Sequence, residues 1–382
     1  AVYVQYNYDN EIAGMPYDVH FGLRYEQTDV TSTAAVAGYD GADWIAETEI
    51  LLSATGEQVF ETKTGDYDYL LPSFNFNIEV VEDVMLRAAY SETIGRPNYT
   101  DIQGGTVLAT LANRTNGGGS AGNPTLLPLE SENIDFSAEW YYAPSSYVSV
   151  GYFRKDTQNF ISNEAVKTTN GIYNPASGDL YKAAVAATGT TEAGAVRDYI
   201  FANYADNAAV DATNQIISGS AANNDELLNF NINTPLNSSE SSVIDGWEFA
   251  AQHFFGETGF GVIANYTLVN SDLALVGISD TANAVLVYEN YGFQARVAYN
   301  WRDEFLTATS QGTGLFPQYT EAYSQIDLSV SYDIEQVEGL TVFFEGLNIT
   351  EEYTRVHGLA NEQVLNLTET GARYSIGARY TF

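Results

Sequence analysis

The chain has 382 residues, with 15 Lys or Arg against 50 Asp or Glu, for a formal net charge of −35. That balance excludes a basic phosphate-binding surface, so nucleic acid is not an expected partner. Cysteine is absent, which excludes disulfides and thiolate metal sites, and no run of 18 apolar residues exists to form a transmembrane helix, although a membrane wall of strands stays open.

In chain order, the segment "AVYVQYNYDN" is already in strand pattern and shows no Met and no signal peptide, so an N-terminal part is expected outside this sequence. In "VHFGLRYE", Val19, Phe21, Leu23 and Tyr25 share a face. A long connection is expected over 32–65. "SFNFNIEV" then sets Phe74, Phe76, Ile78 and Val80 against Ser73, Asn75, Asn77 and Glu79. After the short "VVED" comes an up-strand that ends at Gly95-Arg96-Pro97, since proline has no N–H to donate to a ladder. A second long connection covers 95–129. "NIDFSAEWYY" alternates again, "APSS" is short, and 164–240 is the longest and least regular connection. "SVIDGWEFAAQHFF" carries apolar residues on both faces. Beyond it, 272–280, 303–322 and 350–371 are long, while "FGET", "ENYG" and "EQVEG" are short. "GFQARVAYNW", "SQIDLSVSYD" and the terminal "ARYSIGARYTF" are cleanly two-faced.

The same alternation suits a soluble sandwich, with its apolar face inward, or a membrane barrel, with that face on lipid. Three features favour the barrel. Aromatics sit near strand ends (Tyr25, Tyr90, Tyr142, Trp301, Tyr332, Tyr380), strands run about 9–12 residues, and short and long connections alternate. About thirteen strands are expected. That number is odd and the first strand already descends, so residues 1–382 are expected to form the C-terminal part of a larger all-β transmembrane antiparallel barrel. Twenty-two strands is the size of plugged outer-membrane transporters.

Several stretches resemble the TonB-dependent receptors of Gram-negative outer membranes, in family order. They include "LPSFNFNIEVVEDVMLRAAYSETIGRPNY", "GNPTLLPLESENIDFSAEWYY", "VSVGYFRKDTQNFI", "GFQARVAYNWRDEFL" and "LTVFFEGLNITEEY". "TANAVLVYENYGFQARVAYNWRDEFL" with "GLNITEEY" is most similar to a proteobacterial subgroup often linked to oligosaccharide uptake. The resemblance implies an outer-membrane active transporter with no enzymatic role. Ligand would bind between loops and plug, and the TonB–ExbB–ExbD complex would pull on the plug, driven by the proton-motive force. The plug and TonB-contacting segment have no match here. A ferric-siderophore or haem receptor shares the architecture; a passive porin, a surface adhesin or an outer-membrane hydrolase is the rival outside transport. Expected surroundings are lipid and lipopolysaccharide, with the barrel-assembly machinery reading a terminal signal of Gly377, Tyr380 and Phe382.

Candidate ligand contacts are Arg96, Trp44, Tyr99, Tyr173, Tyr181 and Tyr204, with Tyr199 and Phe201 nearby. Aromatic faces stack on sugar rings while amides and carboxylates read hydroxyls. The bland reading is a self-packed cap, with Arg96 paired to a carboxylate. Asn223, Asn224, Asp225 and Glu226 offer oxygens for structural calcium but lack a calcium loop's spacing, so a polar turn is the competing reading. His20, His253 and His357 are isolated, and no cofactor or catalytic motif stands out. Arg24, Arg296, Arg302, Arg373, Arg379, Glu79, Glu139 and Asp327 are expected to line the lumen, pairing across strands or gripping the plug.

Overall fold

The computed structural model describes residues 1–309 and 316–382. Thirteen strands form one antiparallel wall, each hydrogen-bonded to the next in sequence. We label them β1 (Val2–Ile12), β2 (Met15–Trp44), β3 (Ile50–Val81), β4 (Val84–Gly95), β5 (Leu129–Ala143), β6 (Ser146–Gln158), β7 (Ser242–Phe254), β8 (Phe260–Ser271), β9 (Thr281–Asn290), β10 (Phe293–Arg302), β11 (Tyr323–Asp333), β12 (Leu340–Leu347) and β13 (Arg373–Tyr380). Among the described residues β1 pairs only with β2, and β13 only with β12, so the wall is open.

One end of the wall is closed by tight turns. Ala13-Gly14 and Tyr291-Gly292 have both φ angles positive (53° and 82°; 52° and 72°), the turn whose twist matches a two-residue hairpin. The opposite end carries the long connections.

The register places Phe76, Leu86, Phe136, Val150, Trp247, Leu286, Val297 and Ile376 on a single face, most of them strongly exposed. A one-layer sheet cannot bury this face by itself. Aromatic pairs stand on this face, with Trp140–Tyr142 (5.1 Å) and Phe260–Tyr288 (4.7 Å) near the tight turns, Tyr152–Trp247 (5.2 Å) at mid-strand and Phe344–Tyr374 (6.0 Å) nearer the other end. An exposed apolar face with aromatics near the turns is the pattern of a wall facing hydrocarbon. The mixed pattern of β7 has a local cause. Phe254 lies on the polar face, and its ring covers Gly261, where a Cβ would come within 2.6 Å. Phe343 covers Gly377 in the same way, at 2.5 Å, so Gly377 leaves room for a cross-strand ring.

Two expected connections prove to be regular structure. The 32–65 segment is not a loop: β2 and β3 continue through it as one hairpin, 30 and 32 residues long, far beyond the expected strand length. The 164–240 segment, read as least regular, holds helices α1 (Asp179–Thr188) and α2 (Ala193–Asn203) and a strand at Leu227–Asn237. With the hairpin tip and residues 106–121 it forms a compact cap. Ala42, Trp44, Ile50, Leu108, Ile172, Val196, Ile200 and Phe230 belong to its core, which is the hydrophobic core of the described residues. Within 303–322, residues 310–315 lie outside the described residues.

Candidate ligand site at the mouth

Glu26 sits on the polar face of β2, two residues after Arg24, and is 7% exposed. A buried carboxylate needs compensation. Arg24 supplies it from the same strand, and Arg96, at the turn after β4, reaches across with Nη2 2.5 Å from Glu26 Oε2. This ion pair and Pro97 turn the chain back over the hairpin. The Gly104 N–H donates to Ser32 Oγ (2.6 Å), the Thr106 N–H to Glu61 Oε2 (2.9 Å), and Lys63 Nζ to Thr106 Oγ1 (3.4 Å). At Gly65 the returning chain comes so close that a Cβ would lie 2.0 Å from the Pro124 carbonyl oxygen.

Between hairpin and returning chain lies a cleft of about 840 Å³, lined by Thr28, Asp29, Thr31, Ser32, Tyr67, Arg96, Tyr99 and Gln103 among others. Tyr67 forms a buried wall and Tyr99 is 91% exposed. The lining is hydroxyl, amide and aromatic. Its cation is already spent on Glu26, and Asp29 adds a negative charge, so no net positive field remains there.

The structure therefore divides the expected contacts. Arg96 and Tyr99 meet in the cleft. Trp44 does not join them: it is 0% exposed at the centre of the cap core, 6.3 Å from the Tyr181 ring, because the hairpin carries it into the cap. Tyr181 and Tyr204 pack against the same core, and the Tyr204 ring lies tilted beside Tyr199 (6.4 Å). Tyr173 ends the cap strand paired with Leu227. The core also holds Arg197, which the sequence reading missed. Its guanidinium lies 5.4 Å from the Trp44 ring and 5.3 Å from the Phe201 ring. It donates to the carbonyls of Trp44, Ile45 (3.2 Å) and Gln215 (2.7 Å). Burial pulls its pKa below the ordinary arginine value. The signal was its spacing: Ala193, Val196, Arg197 and Ile200 share the buried face of α2.

The 223–226 quartet is drawn into the fold. Asp225 accepts from the Gly178 and Ser220 N–H groups (2.9 and 2.8 Å), and Asn224 donates to Asp179 (2.7 Å). Burial raises the Asp225 pKa above the usual carboxylate value. No group of three or more His, Asp or Glu side chains poised for a metal occurs among the described residues. On the polar face of the wall, Glu139 pairs with Arg87 (3.0 Å) across β4 and β5. Arg302 departs from the expectation. It lies over the Phe305 ring (3.7 Å) and donates to Ser279 Oγ (2.9 Å), pinning the 272–280 connection.

His357 joins two further connections, in a sheet of Phe305–Ala308, Gln318–Thr320, Tyr353–His357 and Val364–Glu369. It is 3% exposed, stacked on Tyr319 (5.6 Å). Nε2 faces Glu304 Oε2 (3.1 Å) and Nδ1 faces the Gly358 carbonyl (2.8 Å). Both partners accept, so the imidazolium fits. Burial lowers its pKa, but the Glu304 and Gly358 bonds and the charges of Glu304 and Glu321 prevail, and the net shift is upward. Arg355, beside it on the strand, is paired with Glu321 (2.5 Å). A raised folded pKa stabilises fully below the unfolded value of about 6.5 and is lost as pH rises through the folded value. Amide exchange over 353–369, corrected for intrinsic rate, should be slower at pH 5.5 than at pH 8.5. A His357→Gln variant should lose that difference; an equal pH dependence in both proteins would count against the clasp.

Residues 1–349 match the family model described as "TonB dependent receptor-like, beta-barrel". No curated protein matches by sequence. Among solved structures, the chain is similar to the siderophore receptor PirA of Acinetobacter baumannii, at 13% identity and TM-score 0.55, covering 100% of this chain and 54% of that one. It is similar to the ferric enterobactin receptor PfeA of Pseudomonas aeruginosa, solved with enterobactin, at 12% identity and TM-score 0.55, covering 99% and 53%. It is also similar to the Serratia marcescens hemophore receptor HasR, solved with its hemophore HasA and heme, at 13% identity and TM-score 0.51, covering 100% and 51%. The chain thus spans about half the length of these structures.

Proposed function

Because the chain belongs to the family of TonB-dependent receptor-like β-barrels, we propose that it forms the wall and ligand-receiving mouth of an active transporter for an oligosaccharide. The family is an outer-membrane one, and its members are transporters, not enzymes. Import is energised by TonB–ExbB–ExbD through a plug inside the complete barrel. The barrel-assembly machinery reads Gly377, Tyr380 and Phe382, and lipid and lipopolysaccharide cover the apolar face.

The observation that carries the ligand class is the charge state of the cleft. Ferric siderophores and haem carry negative charge and favour unspent cations. Here Arg96 and Arg24 both serve Glu26, Asp29 adds a negative charge, and the neutral polar lining includes Thr28, Thr31, Ser32 and Gln103 beside Tyr67 and Tyr99. Hydroxyls and amides beside an exposed ring suit a neutral polyol.

Calorimetry on the full-length protein tests this, with neutral oligosaccharides, ferric catecholates and haem as titrants. A neutral oligosaccharide is expected to bind. Tyr99→Ala should weaken it about tenfold, or roughly 1.4 kcal/mol, the scale of a truncated aromatic anchor. Binding of a ferric chelate or haem with no response to any glycan would overturn the proposal.

A further inference from the structure

We infer that the cap carries a second glycan-binding surface, an amide platform on the outer face of its four-stranded sheet. The sheet joins Ile161–Tyr173, Leu227–Asn237, Asn116–Ala121 and Thr106–Leu108, in that order. Leu227–Asn237 is an inner strand, antiparallel to Ile161–Tyr173 and parallel to Asn116–Ala121. Its orientation is fixed. Phe230 and Ile232 point into the cap core, and Gly117 and Gly119 make room for them, since a Cβ there would come within 2.5 and 2.7 Å of those side chains. Asn229, Asn231 and Asn233 must therefore point the other way.

That face is regular. The register aligns Thr169, Asn229 and Asn116 in one row, Lys167, Asn231 and Gly118 in the next, and Ala165, Asn233 and Ser120 in the third. Neighbours stand about 4.8 Å apart across the strands and rows about 7 Å apart along them. Asn231 and Asn233 are exposed, and Asn229 is partly so. The face has no acid, although the chain carries 50.

Asparagine is disfavoured in strands, and three at alternate positions of an inner strand run against local preference. Elsewhere in the cap the amides have internal work. Asn237 donates to the Leu127 and Asn159 carbonyls (2.9 and 3.1 Å), and Asn123 donates to Pro235 (3.1 Å). Asn229, Asn231 and Asn233 have no side-chain partner among the described residues. Each presents two donors and an acceptor oxygen to solvent. A neutral, hydroxyl-rich chain lying across the strands matches this array. The surface rests on the same reading of the ligand class as the mouth cleft but shares none of its residues.

The test uses full-length protein in detergent, with neutral β-glucan and xylan oligosaccharides and acidic polygalacturonate fragments as probes. The key variant is the triple Asn229→Val, Asn231→Val, Asn233→Val. Valine is a better strand former, so asparagines with no ligand role predict unchanged or higher Tm and unchanged binding. The platform predicts unchanged or higher Tm and at least a tenfold loss of affinity for a neutral chain. The triple Asn→Ala variant should show the same loss, and the loss should persist when the substitutions are made in a Tyr99→Ala background, where binding at the mouth cleft is already weakened. Three results would overturn the inference: equal affinity in the Val variant and the natural chain, no neutral chain bound by the natural protein, or binding confined to polygalacturonate and abolished by Lys167→Ala.

Discussion

Replacing Trp44 with alanine should unfold the cap and leave the wall standing. The indole is 0% exposed and packs among Tyr181, Arg197 and the α1 and α2 helices. Removing a buried ring of this size costs about 3–5 kcal/mol, a large part of what a small module has to lose. The loss compounds, because Arg197 is stacked on that ring while its guanidinium holds three backbone carbonyls from the hairpin tip and the 215 turn. The wall depends on none of these contacts; its order comes from the twelve ladders between successive strands. Trypsin provides the readout. Lys182 and Arg197 lie on α1 and α2, and Arg197 is 6% exposed in the folded cap. Cleavage at Arg197 should rise at least tenfold in the variant, while the far-ultraviolet β signal stays near that of the natural protein. Equal protection of Arg197 would show that the cap does not rest on Trp44.

How much of this was legible beforehand depends on the range of the interactions. Period-two alternation is a local signal, so thirteen strands, their short turns and the apolar face could be read from the residues. The cap could not. Its core draws Trp44 from the hairpin, Leu108 from the next connection and Phe230 from the third, and no window of sequence holds all of them. Trp44 and Tyr99 look alike in sequence, each an aromatic in a polar connection, yet one is 0% and the other 91% exposed. The 32–65 segment misled for a similar reason. Its Gly, Ala and Glu are depleted in strands, and pairing between the two arms overrides propensity. Arg96 was legible as a turn with a carboxylate partner, but Glu26 became its partner only through the fold, 70 residues away.

The cleft itself depends on a residue that never touches it. Gly65→Ala should lower ligand affinity at the mouth about tenfold or more without unfolding either the cap or the wall. A Cβ at Gly65 would lie 2.0 Å from the Pro124 oxygen, 2.6 Å from its carbonyl carbon and 2.9 Å from Thr125 Cα. All three are backbone atoms, so no side-chain rotation relieves the clash and the 123–125 turn has to move. Asn123 transmits the shift. Its N–H donates to the Asp101 carbonyl (2.6 Å), its amide donates to Pro235 (3.1 Å), and its Oδ1 accepts from Thr125 (2.6 Å). Asp101 belongs to the turn that carries Tyr99, and the Asp101 N–H donates to Asn98 (3.0 Å). The exposed ring is therefore displaced through a chain of bonds rather than by direct contact. General expectation runs the other way, since Gly to Ala in a strand stabilises by roughly 0.5–1 kcal/mol when space allows. Gly41 supplies that comparison on the same hairpin, because a Cβ there meets nothing nearer than Ser53 Oγ at 3.5 Å. Gly41→Ala should keep both stability and affinity. Calorimetry of the two variants side by side decides the matter, and equal affinity in both would mean that the Gly65–Pro124 approach does not position the mouth.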